Sequence, residues 1–380
     1  MKYVILRCED TARGGEQLAS LLAGAKTPHL AHLAQAGAAG TILTSGDEGI
    51  DRAQLHRALL GVKPDDRAAS PGGWYAASAN LTLAEGETAW CCELVTHQDG
   101  RILDPTAGNI PTKESSLLIQ ALDEALGSET RRWEVGHGPH HLLITRDPVL
   151  AADVQPALRS PELLIGRLWQ RELPRGRQGE ALRAIIEQGS RLLEHHPVNR
   201  VRVDLGENPA NLLWLWGASA AGPARTFTDH TGLSGALLSR SFLTRGLARA
   251  LGLGWHEAPA SFEEAAFQRL LKAAEAALER HDLMYLHLGI HTADPVDRLC
   301  AMERIDRLLL KPLTEALQRG GSWRLLAAID DRQQRRLPVV AIGTGLPRQP
   351  IPQLDADSFS GSPLTFQDAA GLFAWLTAGT

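Results

Sequence analysis

Three groupings of polar side chains have the types and spacing to do chemistry. His291 and Asp294 stand three residues apart, so an imidazole and a carboxylate could share one metal ion, though two donors hold it weakly. Pro295 follows directly, and the same carboxylate suits the cap of a helix that begins with proline. His137, His140 and His141 place three imidazoles within five residues, a set that could hold a transition metal. A loop entering a strand is the plainer account of that run. The third grouping is residues 195–217, HHPVNRVRVDLGENPANLLWLWG. Pro197 and Pro209 each bias the residue before them away from helix. The apolar run 212–216, closed by Gly217, reads as a buried strand. A helix, a polar loop and a buried strand in such close succession either place functional side chains or form a loop that crosses between domains, and periodicity does not separate the two. Cys8, Cys91, Cys92 and Cys300 have neither a zinc-ligand spacing nor a disulfide pattern, and reduced thiols in a cytoplasmic protein are expected.

The elements that must position these groups follow from periodicity. Residues 3–6, 88–96, 140–145, 236–238, 284–288, 325–329 and 339–342 read as strands. Helices are expected over residues 18–22, 27–37, 51–60, 113–126, 180–194 and 242–251. Another should start at a capping box of Ser261 and Glu264 and run to about His281. A long helix over 296–317 carries Leu299, Met302, Ile305, Leu309 and Leu313 at helical spacing, and Pro312 should kink it. Residues 64–80, rich in Pro, Gly, Ala and Ser, read as a boundary loop. Charged residues of the long helices read as solvated faces.

Composition bounds the functional class. The chain has 380 residues, 44% hydrophobic and 22% charged, which fits two domains or one large domain with an insertion. A net charge of −5 offers no basic surface for nucleic acid. No apolar run is long enough for a signal peptide or a membrane span.

His-Pro-Val-Asn, Asn-Pro-Ala-Asn and Trp-Leu-Trp-Gly, in that order within residues 196–217, resemble the archaeal-type cofactor-independent phosphoglycerate mutases of the alkaline phosphatase superfamily. The resemblance extends more weakly along most of the chain. It implies an α/β fold: an alkaline-phosphatase-like core sheet flanked by helices, formed by residues 1–65 and 210–380. Residues 66–209 would form an inserted α+β domain.

The resemblance also says where chemistry should sit. Active mutases of the family carry two divalent metals and a serine that is phosphorylated and returns the phosphoryl group. The first metal position falls at Cys8-Glu9-Asp10, where Glu9 is either a ligand or a solvated acidic turn. The serine position falls near Arg52, and no serine lies between Asp47 and Gly61. Ser45 is too far upstream to stand in for it. The third site matches residues 287–294, with His291 and Asp294 as candidate ligands. The fourth matches Asp330 and Asp331, and no histidine occurs over 332–337. The family's phosphate-binding arginines match Pro71 to Trp74, Cys91 to Glu93 and Pro139 to His141, none of which is arginine. What survives is the 195–217 string and Arg245-Gly246, so Asn199, Arg202, Asn211 and Arg245 are the candidate substrate-binding residues.

The leading expectation is a family member that has lost phosphoryl transfer, has no resident cofactor, and keeps a binding or regulatory role toward a small phosphorylated ligand or a protein partner. The rival is an active mutase interconverting 3- and 2-phosphoglycerate, or a phosphohydrolase, using manganese or another divalent metal on Glu9, His291, Asp294, Asp330 and Asp331.

Overall fold

The computed structural model describes the whole chain except residues 11–19, 44–50, 64–69, 154–157, 178, 223–224, 260, 293, 331–335 and 380. Its strands are β1 Lys2–Asp10, β2 Ala38–Leu43, β3 Thr88–Gln98, β4 Arg101–Asp104, β5 Arg131–His137, β6 His140–Thr145, β7 Leu212–Ala220, β8 Gly235–Ser239, β9 Gly254–Glu257, β10 Leu283–Ile290, β11 Trp323–Asp330, β12 Arg336–Gly343 and β13 Thr365–Phe366. They fall in two compact units. One comprises Met1–Lys63, Thr226–Ser241 and Gly252–Thr380; the other comprises Pro64–Arg225 and Phe242–Leu251.

The first unit holds an eight-stranded sheet in the order β13-β2-β12-β11-β1-β10-β8-β9. Its pairings are parallel except for β12, which runs antiparallel to β11 and β2. Side chains alternate between the faces of a strand. Val4, Leu6 and Cys8 of β1 enter an apolar core with Met284, Leu286 and Leu288 of β10 and Leu325, Ala327 and Ile329 of β11. The helix Glu264–Arg280 lays Phe267, Leu270 and Ala274 on that face, and Leu30 and Leu33 come from the helix Pro28–Ala36. Each fully buried leucine contributes roughly 1.5–3 kcal/mol. The odd residues of β1 point the other way, and at its carboxyl end they are charged: Arg7, then Glu9. The strand therefore carries an apolar stripe on one face and delivers a polar pair on the other.

The expected long helix is interrupted. Pro295–Ile305 is helical, Asp306–Leu310 forms a wider π turn, and Lys311–Arg319 resumes the helix. Pro312 has no N–H and its ring crowds the carbonyl one turn earlier, so the ladder opens just before it. The expected capping box at Ser261 is absent: the helix begins at Glu264 after Glu263, with no side-chain cap. A capping box forms instead at Thr226 and Asp229, around a five-residue helix Phe227–Thr231.

The second unit is built on an antiparallel sheet in the order β4-β3-β6-β5, with β7 also paired to β3. The helices Thr112–Leu126 and Glu180–Glu194 bury Leu118, Ile119 and Leu122, and Leu182, Ile185, Ile186 and Leu193. Two boundaries differ from the sequence reading. The core was expected to resume at residue 210, but β7 hydrogen-bonds along β3 from Leu212↔Val95 to Ala220↔Thr88 and so belongs to the second unit. The helix Phe242–Ala250 belongs there too, since Gly246 lies directly on the Trp74 backbone, where an added Cβ would overlap the Trp74 carbonyl. Trp74 itself sits in the helix Pro71–Ser78, in a stretch expected to be loop. Proline at the first helical position, pre-set in φ, starts it.

Candidate active site

In the first unit, the carboxyl ends of β1, β10 and β8 and the helix Arg52–Leu59 bring one polar cluster together. Register aligns Arg7 with His287, and Glu9 with Gly289 on one side and Asp330 on the other. Glu9 is buried. Its Oε2 accepts from His287 Nε2 at 2.7 Å, with Arg7 Nη2 at 3.5 Å. Arg52 Nε pairs with its Oε1. Burial by itself would raise the Glu9 pKa. The charges of Arg52 and Arg7 and the His287 hydrogen bond reverse this and hold the carboxyl well below the usual range. Glu9 is therefore an ionised carboxylate. The expectation of a solvated acidic turn gives way, because β1 continues through Asp10.

The hydrogen bonds fix both ring tautomers. Arg7 Nη1 lies 2.8 Å from His56 Nε2, and a guanidinium only donates, so Nε2 accepts. His56 Nδ1–H then donates to the Tyr285 hydroxyl at 2.7 Å. Burial first, then the Arg7 charge, keeps the His56 pKa well below the ordinary histidine range, so the ring is neutral. Burial likewise lowers that of His287. Since His287 Nε2–H donates to Glu9, its Nδ1 accepts from Ser239 Oγ at 2.9 Å. The two rings meet edge to face with centroids 4.6 Å apart. Ser239, His287 and Glu9 stand in the order of a nucleophilic triad. Ser239 is wholly buried, however, and the Ser241 N–H donates to its hydroxyl, so it serves to orient the imidazole.

Asp10 points to the opposite face from Glu9. Arg298, on the helix Pro295–Ile305, places Nε at 3.0 Å and Nη2 at 2.6 Å from its Oδ2. Both residues are buried, which fixes the end of β1 against that helix.

By distance alone Glu9, His56 and His287 form a possible metal triad: one donor atom from each lies within 4.8 Å of the others. Among the described residues this is the one such group. The bonds already made do not suit the two divalent metals of the family. The Nε2 lone pair of His56 is directed at Arg7, and the two oxygens of Glu9 are held by Arg52 and by the His287 N–H. Two permanent cations beside the carboxylate oppose a third by Coulomb repulsion.

The sequence-derived candidates fall as follows. Asp330 ends β11 opposite Glu9 in register; Asp331 lies outside the described residues. His291 directly follows β10. Asp294 caps its helix as the following Pro295 suggests, one oxygen accepting from the Val296 and Asp297 N–H groups at 2.9 Å. Arg52 is the first residue of its helix, which Asp51 caps by accepting from Gln54 N at 3.0 Å.

The substrate-binding candidates lie in the second unit, where the 195–217 string joins helix, loop and strand. Asn199 donates to Leu193 O and Ala210 O and accepts from Ala210 N. Arg202 is buried, with Nε on Asn208 O, Nη2 on Ala107 O, and Nη1 on Glu114 and Glu207. Asn211 exchanges both backbone bonds of His97. Arg245 donates to Ser78 Oγ at 2.9 Å and lies over the Phe242 ring. Asn199, Arg202 and Asn211 thus tie the second unit's own backbone together. The histidine run is also structural. His140 pairs with the buried Glu93 at 2.7 Å, and Tyr75 donates to the same carboxylate. His141 Nδ1 accepts from Gly136 N.

Sequence reading missed Arg7, His56, His287, Ser239 and Arg298 as site residues. Helical spacing carries a signal for two of them. His56 shares the buried face of Ala53 and Leu59, and Arg298 heads the apolar row Ala301, Met302 and Ile305. A charged or titratable side chain on an apolar stripe requires a buried partner.

The fold is that of the cofactor-independent phosphoglycerate mutases. The solved mutase of Thermoplasma acidophilum superposes with a TM-score of 0.58 over 100% of both chains at 23% identity. A Pyrococcus horikoshii structure gives 0.65 over 99% of this chain and 96% of its own, at 16% identity. A family profile described as 2,3-bisphosphoglycerate-independent phosphoglycerate mutase matches residues 31–199. The mutase of that name from Methanosarcina acetivorans is 31% identical over 326 residues, covering 82% of this chain and 81% of its own length. A probable mutase of Geobacter sulfurreducens is 29% identical over 356 residues, covering 89% and 87%. The chain belongs to the 2,3-bisphosphoglycerate-independent phosphoglycerate mutase family.

Proposed function

We propose that this family member does not transfer phosphoryl groups and acts by binding, with a small phosphorylated acid as the ligand class. One observation carries the reading. At the start of the helix Arg52–Leu59, where the resemblance puts the serine hydroxyl, the chain places a guanidinium paired with Glu9. A guanidinium cannot accept a phosphoryl group at neutral pH, because its nitrogens carry no basic lone pair. Two guanidiniums against one carboxylate make the cluster suited to an anion. The test is intact-mass spectrometry after incubation with 3-phosphoglycerate and manganese, beside calorimetry with the same compound. The expected result is heat of binding without a phosphorylated chain. A phosphoserine on the protein would overturn the reading.

A second reading, an active metal-dependent mutase, is favoured by the relatives, which carry that name at 29–31% identity over more than 80% of this chain. It predicts the phosphorylated intermediate that the first excludes.

A further inference from the structure

We infer that the Arg7 guanidinium is a built-in cation taking the structural place of a metal ion, and that Glu9, His56 and His287 form a single transition-metal site once it is removed. The inference goes beyond the functional reading and does not depend on it. Arg7 is wholly buried in the carboxyl-terminal half of β1. Its Nη1 meets His56 Nε2 at 2.8 Å and its Nη2 lies 3.5 Å from Glu9 Oε2, so it spans two of the three atoms that a metal would bridge.

The donors left behind form a two-histidine, one-carboxylate set, which suits zinc, cobalt or manganese. The outer nitrogens of both rings already have partners: His56 Nδ1 meets the Tyr285 hydroxyl at 2.7 Å and His287 Nδ1 meets Ser239 Oγ at 2.9 Å. Such outer hydrogen bonds hold metal-binding imidazoles in orientation. His287 need only move its proton from Nε2 to Nδ1, since a hydroxyl oxygen accepts as readily as it donates. His56 needs no change, because its Nε2 lone pair is already directed inward. What excludes a metal is the fixed positive charge of Arg7, seconded by Arg52 on the other oxygen of Glu9.

The experiment compares cobalt uptake by the full-length wild type, Arg7→Met, and Arg7→Met with His287→Gln. It is read by metal content after gel filtration and by the visible absorption of bound cobalt. The wild type should carry none. Arg7→Met should carry one ion per chain and lose it when His287 is also replaced. Uptake by the wild type would overturn the inference, as would a folded Arg7→Met that takes none. Arg7→Met takes one buried partner from Glu9 and leaves His56 Nε2 without its donor, and so can fail to fold alone. Refolding on addition of cobalt, or of millimolar guanidinium ion in competition with it, would then support the inference, and refolding with neither would overturn it. Cobalt uptake by the wild type without a phosphorylated chain sinks this inference and leaves the functional reading standing. A phosphoserine formed on metal-free protein does the reverse.

Discussion

Replacing Glu9 by glutamine leaves Arg7 and Arg52 beside a neutral amide, and His287 without its ionised acceptor. Removing one partner of a buried ion pair costs about 3–5 kcal/mol, so Glu9→Gln should lose stability on that order in urea unfolding. A loss below 1 kcal/mol would mean that the carboxylate is not the anchor of the cluster. A second residue sets an acid limit. Burial pushes the His141 pKa down to about 3, against roughly 6.5 in the unfolded chain. The unfolded state then binds the extra proton, so this stability is fully present above about pH 6.5 and drains as pH falls toward 3. His141→Gln, whose amide oxygen can still accept from Gly136 N, should show a flatter stability curve across that window. An unchanged slope would reject the assignment. At this scale the sequence was only partly legible. Glu9 could be singled out, but nothing local says that Arg7, two residues earlier on the same face, fills the space beside it. Local spacing groups Arg298 and Asp306 with the solvated helix faces, because their partners lie 288 and 276 residues away.

Asp306 shows what an element can require of a distant one. The helix Pro28–Ala36 has no side-chain cap of its own at Thr27. Its His29 and Leu30 N–H groups donate instead to Asp306, at 3.1 and 2.7 Å, from the first residue of the π turn. Asp306→Ala leaves two helix-end donors unpaired, one of them buried, and should cost about 1–3 kcal/mol in thermal or urea melts. A neutral outcome would show that water replaces the carboxylate. Amphipathic helices such as Glu180–Glu194 and Glu264–Arg280 were legible because their apolar spacing is local. The partner of β7 was not legible: the run 212–216 announces a buried strand, while only tertiary pairing assigns it to β3.

On the scale of the whole molecule, the chain keeps the family fold in two compact units. Among the described residues no helix is long and apolar enough to cross a membrane. The cation cluster belongs to the first unit, and its charges come from arginines that no chelator removes. The melting temperature should therefore be unmoved by EDTA, manganese or cobalt. Specific metal binding at 100 times the dissociation constant would add roughly 2.7 kcal/mol, which a melt would register clearly. The measurement that tests the account most directly is a coupled 3-phosphoglycerate to 2-phosphoglycerate assay on purified full-length protein, metal-replete and chelated. The account predicts no turnover above background in either condition. Turnover that chelation abolishes and manganese restores would contradict it.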